Sequence, residues 1–164
     1  MKPLVIILMG SSSDMGHAEK IASELKVFGI EYAIRIGSAH KTAEHVVSML
    51  KEYEALDRPK LYITIAGRSN ALSGFVDGFV KGATIACPPS SDSFAGADIY
   101  SSLRMPSGIS PALVLEPKNA ALLAARIFSL YDKEIADSVK SYMESNAQKI
   151  IEDDSKLKNK FMAE

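Results

Sequence analysis

The sequence predicts an α/β protein, a three-layer αβα sandwich on a central parallel sheet of about five strands, with a long C-terminal helix. Segments of strand character alternate with segments of helical period, which implies right-handed crossovers and parallel strands. The first strand segment, LVIILM at 4–9, is apolar without interruption and stops at Gly10, as expected of a strand covered on both faces. The chain's 164 residues, 47% of them hydrophobic, fit one domain over 1–164 with a sizeable core.

The remaining elements follow in order. Residues 14–28 read as a helix, because Ile21, Leu25 and Phe28 recur at helical spacing and Gly29 ends the run. Residues 31–36 form a second strand. Residues 42–56 form a second helix with Val46, Met49, Leu50 and Tyr53 on one face. A third strand covers 61–66, a short helix 71–80, and two further strands 83–86 and 112–115. Pro117 opens a helix rich in Ala and Leu that runs to Leu130. Residues 132–160 form the last helix, with Ile135, Val139, Tyr142, Met143 and Ile150 as its apolar stripe. That helix outruns a sheet of this size, so it packs on another subunit or docks on its own domain. The stretch 87–110, rich in Ser, Pro, Gly and Asp, reads as a long loop, and loops of that length are commonly functional.

Nineteen Lys and Arg balance 20 Asp and Glu, a net charge of −1, so no electrostatic case exists for nucleic acid or an anionic membrane. A local cationic site for one phosphate is still compatible with that balance. A single cysteine, Cys87, excludes an intramolecular disulfide and suits a reducing compartment. The N-terminal apolar run is too short to span a bilayer and lacks the form of a signal peptide, so the cytoplasm is the expected location.

In a parallel sheet the ligand site lies beyond the carboxyl ends of the strands. The first three strands end in GSSSD (10–14), GSAHKT (37–42) and AGRSNALSG (66–74). In the first, Gly10 permits a tight exit, Ser11, Ser12 and Ser13 carry hydroxyls, and the following helix offers free N–H groups to a phosphate. The pattern is neither a P-loop nor a dinucleotide fingerprint, and Ser13 or Asp14 acting as a plain helix cap explains it as well. In the second, Thr42 suits a cap, Lys41 can neutralise a phosphate, and His40 suits proton transfer because histidine ordinarily titrates near neutrality. In the third, Arg68 can fork onto a carboxylate or phosphate, and Ser69 and Asn70 can donate to a ligand or cap the next helix. His17 and His45 read as surface helix residues and Cys87 as a small buried one. Three histidines in separate segments give no metal-ligand spacing.

Taken together, GSSSD, SAHKT, MPSG (105–108) and NAALLAA (119–125) resemble the ordered motifs of the phosphoribosylaminoimidazole carboxylase family of purine biosynthesis, over residues 5–130. The resemblance implies a flavodoxin-like fold and a homo-oligomer, tetramer or octamer, with sites near subunit boundaries. It implies the small-molecule substrates aminoimidazole ribonucleotide and CO2, with no cofactor and no metal. It makes His40 the catalytic proton carrier. It makes Ser11, Ser13, Asp14, Ser38, Ala39, Lys41, Gly67, Arg68, Ser69 and Asn70 substrate-binding. Within that set, Lys41, Ser11 and Asp14 serve the ribose phosphate end, and Arg68 and Asn70 serve CO2 or the new carboxylate. One branch of the family is a mutase of the N5-carboxylated nucleotide, with a GGAAH-type third turn. The other adds free CO2 directly, and GRSN (67–70), Lys41 and CPP (87–89) resemble that branch, although Ala71–Gly74 depart from its usual Gly-Leu-Gly-Pro. A rival reading is a non-enzymatic flavodoxin-like binding module; a response regulator is disfavoured, because ILMG and ITIAG carry no acidic residues at the strand ends.

Overall fold

Leu4–Met9 form β1, and all six residues are buried. The computed structural model describes residues 1–90 and 94–161; of the long 87–110 stretch, residues 91–93 lie outside the described residues. After β1 come α1 (Met15–Val27), β2 (Glu31–Ile36), α2 (Ala43–Glu54), β3 (Lys60–Ile65), α3 (Ala71–Asp77), β4 (Thr84–Ala86), α4 (Tyr100–Leu103), β5 (Ala112–Leu113), α5 (Pro117–Phe128) and α6 (Lys133–Phe161). The strands pair in parallel in the order β2-β1-β3-β4-β5.

The uninterrupted apolar run of β1 follows from this central place. Val5, Ile7 and Met9 face one layer, formed with Ala18, Ile21 and Leu25 of α1 and the four buried alanines of α5. Leu4, Ile6 and Leu8 face the other, with Val46, Met49 and Leu50 of α2 and Leu72 and Val76 of α3. Side chains alternate across a strand, so both sets must be apolar when both faces are covered. Each such buried side chain contributes about 1.5–3 kcal/mol before the entropy of ordering it. By contrast β2, at the sheet edge, has no fully buried residue.

Local signals set the ends of α1. Gly29 adopts φ 69°, and the amides of Ile30 and Gly29 bond back to Leu25 (3.0 Å) and Lys26 (3.0 Å). This Schellman closure favours glycine. At the other end, Ser12–Asp14 form a 3-10 turn and the helix proper starts at Met15. α6 contains 29 residues, of which only Ile135 and Val139 are buried; at 1.5 Å per residue it is about 43 Å long. Met143, Ile150, Ile151, Leu157 and Phe161 are exposed, so the anticipated stripe docks on this fold only at its first turns. Among the described residues no helix is long and apolar enough to cross a membrane.

Two expectations shift. The last two strands are shorter than the sequence suggests: β4 covers Thr84–Ala86 and β5 Ala112–Leu113, after which the Val114 amide makes one more bond, to Ala86 O (2.9 Å). The 87–110 stretch is not all loop: a 3-10 turn at Ala97–Ile99 leads into α4. Four helical residues are too few to show a helical period.

Candidate active site

β1 lies between β2 and β3, so the chain leaves β1 in opposite directions along the sheet. This reversal opens a crevice at the carboxyl edge, where the three polar turns meet.

The first turn leaves β1 with the Gly10 amide still bonded to Ile65 O (2.9 Å). Ser11 then caps the 3-10 turn. Its Oγ accepts from the Ser13 amide (3.3 Å) and from the Ser13 hydroxyl (3.0 Å). Ser11 thus caps the 3-10 turn, while Asp14 stands at the cap position of α1, as one reading expects, without making a side-chain cap bond. Burial raises the Asp14 carboxyl above its ordinary pKa, partly offset by the Ser13 hydroxyl.

The second turn is a closed loop. Ser38 N–H donates to Thr42 Oγ1 (2.9 Å), Lys41 N–H to Ser38 Oγ (3.3 Å) and Thr42 N–H to Ser38 O (2.9 Å). Thr42 stands at the helix cap position, but its hydroxyl closes this loop and does not cap α2. Gly37 begins the turn because nothing larger fits: a Cβ there would lie 2.6 Å from Met49 Cε and 2.7 Å from Val46 Cγ2. The tight entry leaves His40 and Lys41 exposed at the tip.

The third turn carries Arg68 in the left-handed region, φ 59°, a conformation that costs a non-glycine residue about 1–2 kcal/mol. Asn70 is buried. Its Oδ1 accepts from the Ser73 amide (3.2 Å), capping α3, and its Nδ2 donates to Ser102 Oγ (2.9 Å).

The turns enclose a cavity of about 840 Å³. Ser11, Ser13 and Asp14 line it from the first turn, Ser38, Ala39, His40 and Lys41 from the second, and Gly67, Arg68 and Ser69 from the third. Of the residues expected at the site, only Asn70 is outside that wall. It lines a smaller adjoining cavity of about 250 Å³ with Ser69, Arg104, Met105 and Ile109, which brings the MPSG segment to the rim. Leu72, Pro89 and Ser90 also line the main cavity. For Pro89 the CPP resemblance was a pointer; for Leu72 the sequence gives no signal.

A further pair was missed. His17 is half-buried, and its Nε2 lies 3.3 Å from Cys87 Sγ at the end of β4. Burial, then the Lys20 charge, hold the imidazole below its usual pKa, and burial pushes the Cys87 thiol up to about 12. Both groups are therefore neutral near pH 7, and the pair is not a thiolate–imidazolium nucleophile. His45 is exposed, as expected. Among the described residues no group of three His, Cys, Asp or Glu is placed to hold a metal ion.

Lys41 and Arg68 set against Asp14, with amides at a helix start, favour an anionic ligand. Fold and site together define a doubly wound α/β protein with a polar cavity, carrying Lys41 and Arg68 on its wall, at its topological switch point. The model of the AIR carboxylase family matches residues 4–149. A phosphoribosylaminoimidazole carboxylase of Treponema denticola is 98% identical over 158 residues, 96% of this chain and 99% of that protein. One of Archaeoglobus fulgidus is 51% identical over 153 residues, 93% of this chain and 84% of its own. The crystal structure of Treponema denticola PurE superposes with a TM-score of 0.95 at 98% identity, covering 96% of this chain and 99% of the other. The chain belongs to the AIR carboxylase family and is an enzyme.

Proposed function

We propose that this enzyme catalyses the reversible addition of CO2 to C4 of 5-aminoimidazole ribonucleotide in purine biosynthesis, without ATP. One observation supports this above others: His40 lines the same cavity as the serine turn, Lys41 and Arg68. A single bound nucleotide then meets a phosphate-binding end and a proton carrier together.

The chemistry needs little more. The aminoimidazole is an enamine, so the C4 electron pair attacks the carbon of CO2 and one C–O π pair moves to oxygen. The adduct has lost aromaticity and still carries hydrogen at C4. His40 takes that proton and the C–H pair restores the ring. In reverse, His40 delivers the proton to C4 and CO2 leaves. Lys41 and the Ser11–Ser13 turn hold the phosphate, Asp14 a ribose hydroxyl, Ser38 and Ser69 the base, and Arg68 the new carboxylate. Holding CO2 near C4 lowers the barrier by proximity. Asn70, committed to Ser73 and Ser102, serves by fixing the turn.

The third turn favours direct carboxylation over the mutase reaction, because GRSN supplies no second histidine. A cytoplasmic homo-oligomer, tetramer or octamer, belongs to the same proposal. The exposed Ile150, Ile151, Leu157 and Phe161 on α6 support packing of that helix on another subunit.

Supplying each substrate separately to purified protein tests the reading. Faster formation of the C4-carboxylated nucleotide from aminoimidazole ribonucleotide with bicarbonate/CO2 is expected. Conversion of the N5-carboxylated nucleotide alone would assign the mutase reaction. His40→Asn is expected to lower turnover roughly 100-fold or more with nucleotide binding retained, and normal turnover would remove His40 from the proton transfer.

A further inference from the structure

The segment 97–103 fastens the third turn from outside the main cavity. Asp98 Oδ2 accepts from the Arg68 amide (3.1 Å), and Ser101 Oγ accepts from the Asn70 amide (2.9 Å). The Ser101 hydroxyl lies 3.2 Å from Arg68 O and 2.7 Å from Asp98 O, so its one proton is shared between them. Ser102, itself buried, accepts from Asn70 Nδ2 at 2.9 Å. These contacts join residues 30–33 positions apart and bracket Arg68 on both sides.

Arg68 needs such bracketing. A side chain in the left-handed region persists where its surroundings over-determine it, and no local feature of Gly-Arg-Ser demands that conformation. Arg68 and Ser69 line the main cavity, whereas Asp98 and Ser101 do not: Ser101 lines the smaller adjoining cavity with Ser69 and Asn70, and Asp98 a neighbouring one of about 410 Å³ with Gly67 and Pro89. Their hydrogen bonds to the turn are made to the backbone of Arg68 and Asn70, so their hold on the main cavity's wall passes through that backbone. The geometry points to Asp98 and Ser101 as positioning residues that hold Arg68 in its left-handed conformation and so aim the Arg68–Ser69 wall at the reacting end of the substrate. That this wall handles the carboxylate rests on the function proposed above; the clasp itself does not.

Loosening the clasp leaves the first two turns, and with them the nucleotide's phosphate end, in place. Asp98→Ala and Ser101→Ala are each expected to lower kcat roughly tenfold, the loss of about one hydrogen bond's worth of positioning. The KM for nucleotide should stay within about twofold, and Ser101→Thr, which keeps the hydroxyl, should restore most of the rate. Glycine adopts the left-handed region without strain. In the Arg68→Gly background, Asp98→Ala should therefore cost less than about threefold, a non-additive cycle. A second measurement needs no turnover: brief trypsin treatment well below Tm should cut after Arg68 about tenfold faster in Asp98→Ala than in the parent. Unchanged kcat in both alanine variants would overturn the proposal. So would equal losses of kcat, nucleotide affinity and Tm, an additive cycle, or unchanged tryptic cleavage. If the parent converts only the N5-carboxylated nucleotide, the proposed function fails, and the same variant-to-parent ratios measured on that substrate still decide the clasp.

Discussion

Gly37→Ala tests whether the turn bearing His40 is set by steric closeness. The Gly37 amide donates to Met9 O (2.9 Å), which ties it to β1, so the backbone has little room to retreat. The added methyl would meet Met49 Cε at 2.6 Å and Val46 Cγ2 at 2.7 Å, about 1 Å inside ordinary carbon contact. Met49 can swing its end away. Val46 is β-branched, fully buried and fixed by α2, so α2 or the turn must shift. Overpacking of this kind costs about 2 kcal/mol. Against it, alanine restricts the unfolded chain and returns about 0.7 kcal/mol. The net of roughly 1.3 kcal/mol corresponds to a fall in Tm of about 3–5 °C for a chain of this size. Urea unfolding at constant m gives the stability, and kcat, expected to fall severalfold, reports the displaced His40. Gly37→Ala combined with Val46→Ala should be less damaging than the sum of the two by at least about 0.5 kcal/mol, because the new methyl occupies the vacated space. Native stability in Gly37→Ala, or strict additivity in the double variant, would refute the steric account.

Lys41→Ala should raise the KM for nucleotide roughly tenfold through loss of a charge-assisted contact, and an unchanged value would move the phosphate elsewhere in the cavity. Cys87 is fully buried and its thiol is pushed up to about 12, so a disulfide reagent at pH 8 should find no reactive thiol in the native enzyme and one per chain in denaturant; rapid native labelling would contradict the burial. His17 is held below its usual pKa by burial, then by Lys20, so the unfolded chain takes up a proton near pH 6.5 before the folded one does. Stability is therefore present above about pH 6.5 and is lost as pH falls, until the folded-state pKa is passed. His17→Gln should flatten the decline in unfolding free energy between pH 7.5 and 5.5, and an identical slope in both proteins would exclude His17 as its source.

What was legible in the sequence is what local chemistry sets. The apolar run of β1 announces a central strand, the Leu25 and Phe28 spacing before Gly29 announces the end of α1, and Pro117 announces the start of α5. The convergence of the three polar turns on one cavity is legible for a similar reason. Parallel topology alone places consecutive strand ends at one edge, so residues far apart in the chain meet without any pairwise signal.

Pairwise contacts across the chain left no such trace. His17 lies on a helix whose pattern reads as surface at that position, yet it meets Cys87 seventy residues away. Asn70 reads from the sequence as a ligand contact or a helix cap; the cap on Ser73 forms, while the second partner, Ser102, leaves no trace in the sequence. The Ser11 cap is invisible because it serves a 3-10 turn, shorter than any period, that comes between strand and helix, with Asp14 left at the cap position of α1. The same reasoning explains why α4 was read as loop although its neighbourhood holds Arg68 in place. A segment too short to show periodicity earns its position through hydrogen bonds to a distant turn, and such bonds constrain only isolated serines and one aspartate. The cavity's wall can therefore be read from the strands that deliver it, while the rigidity of that wall depends on residues whose sequence neighbourhood looks like ordinary loop.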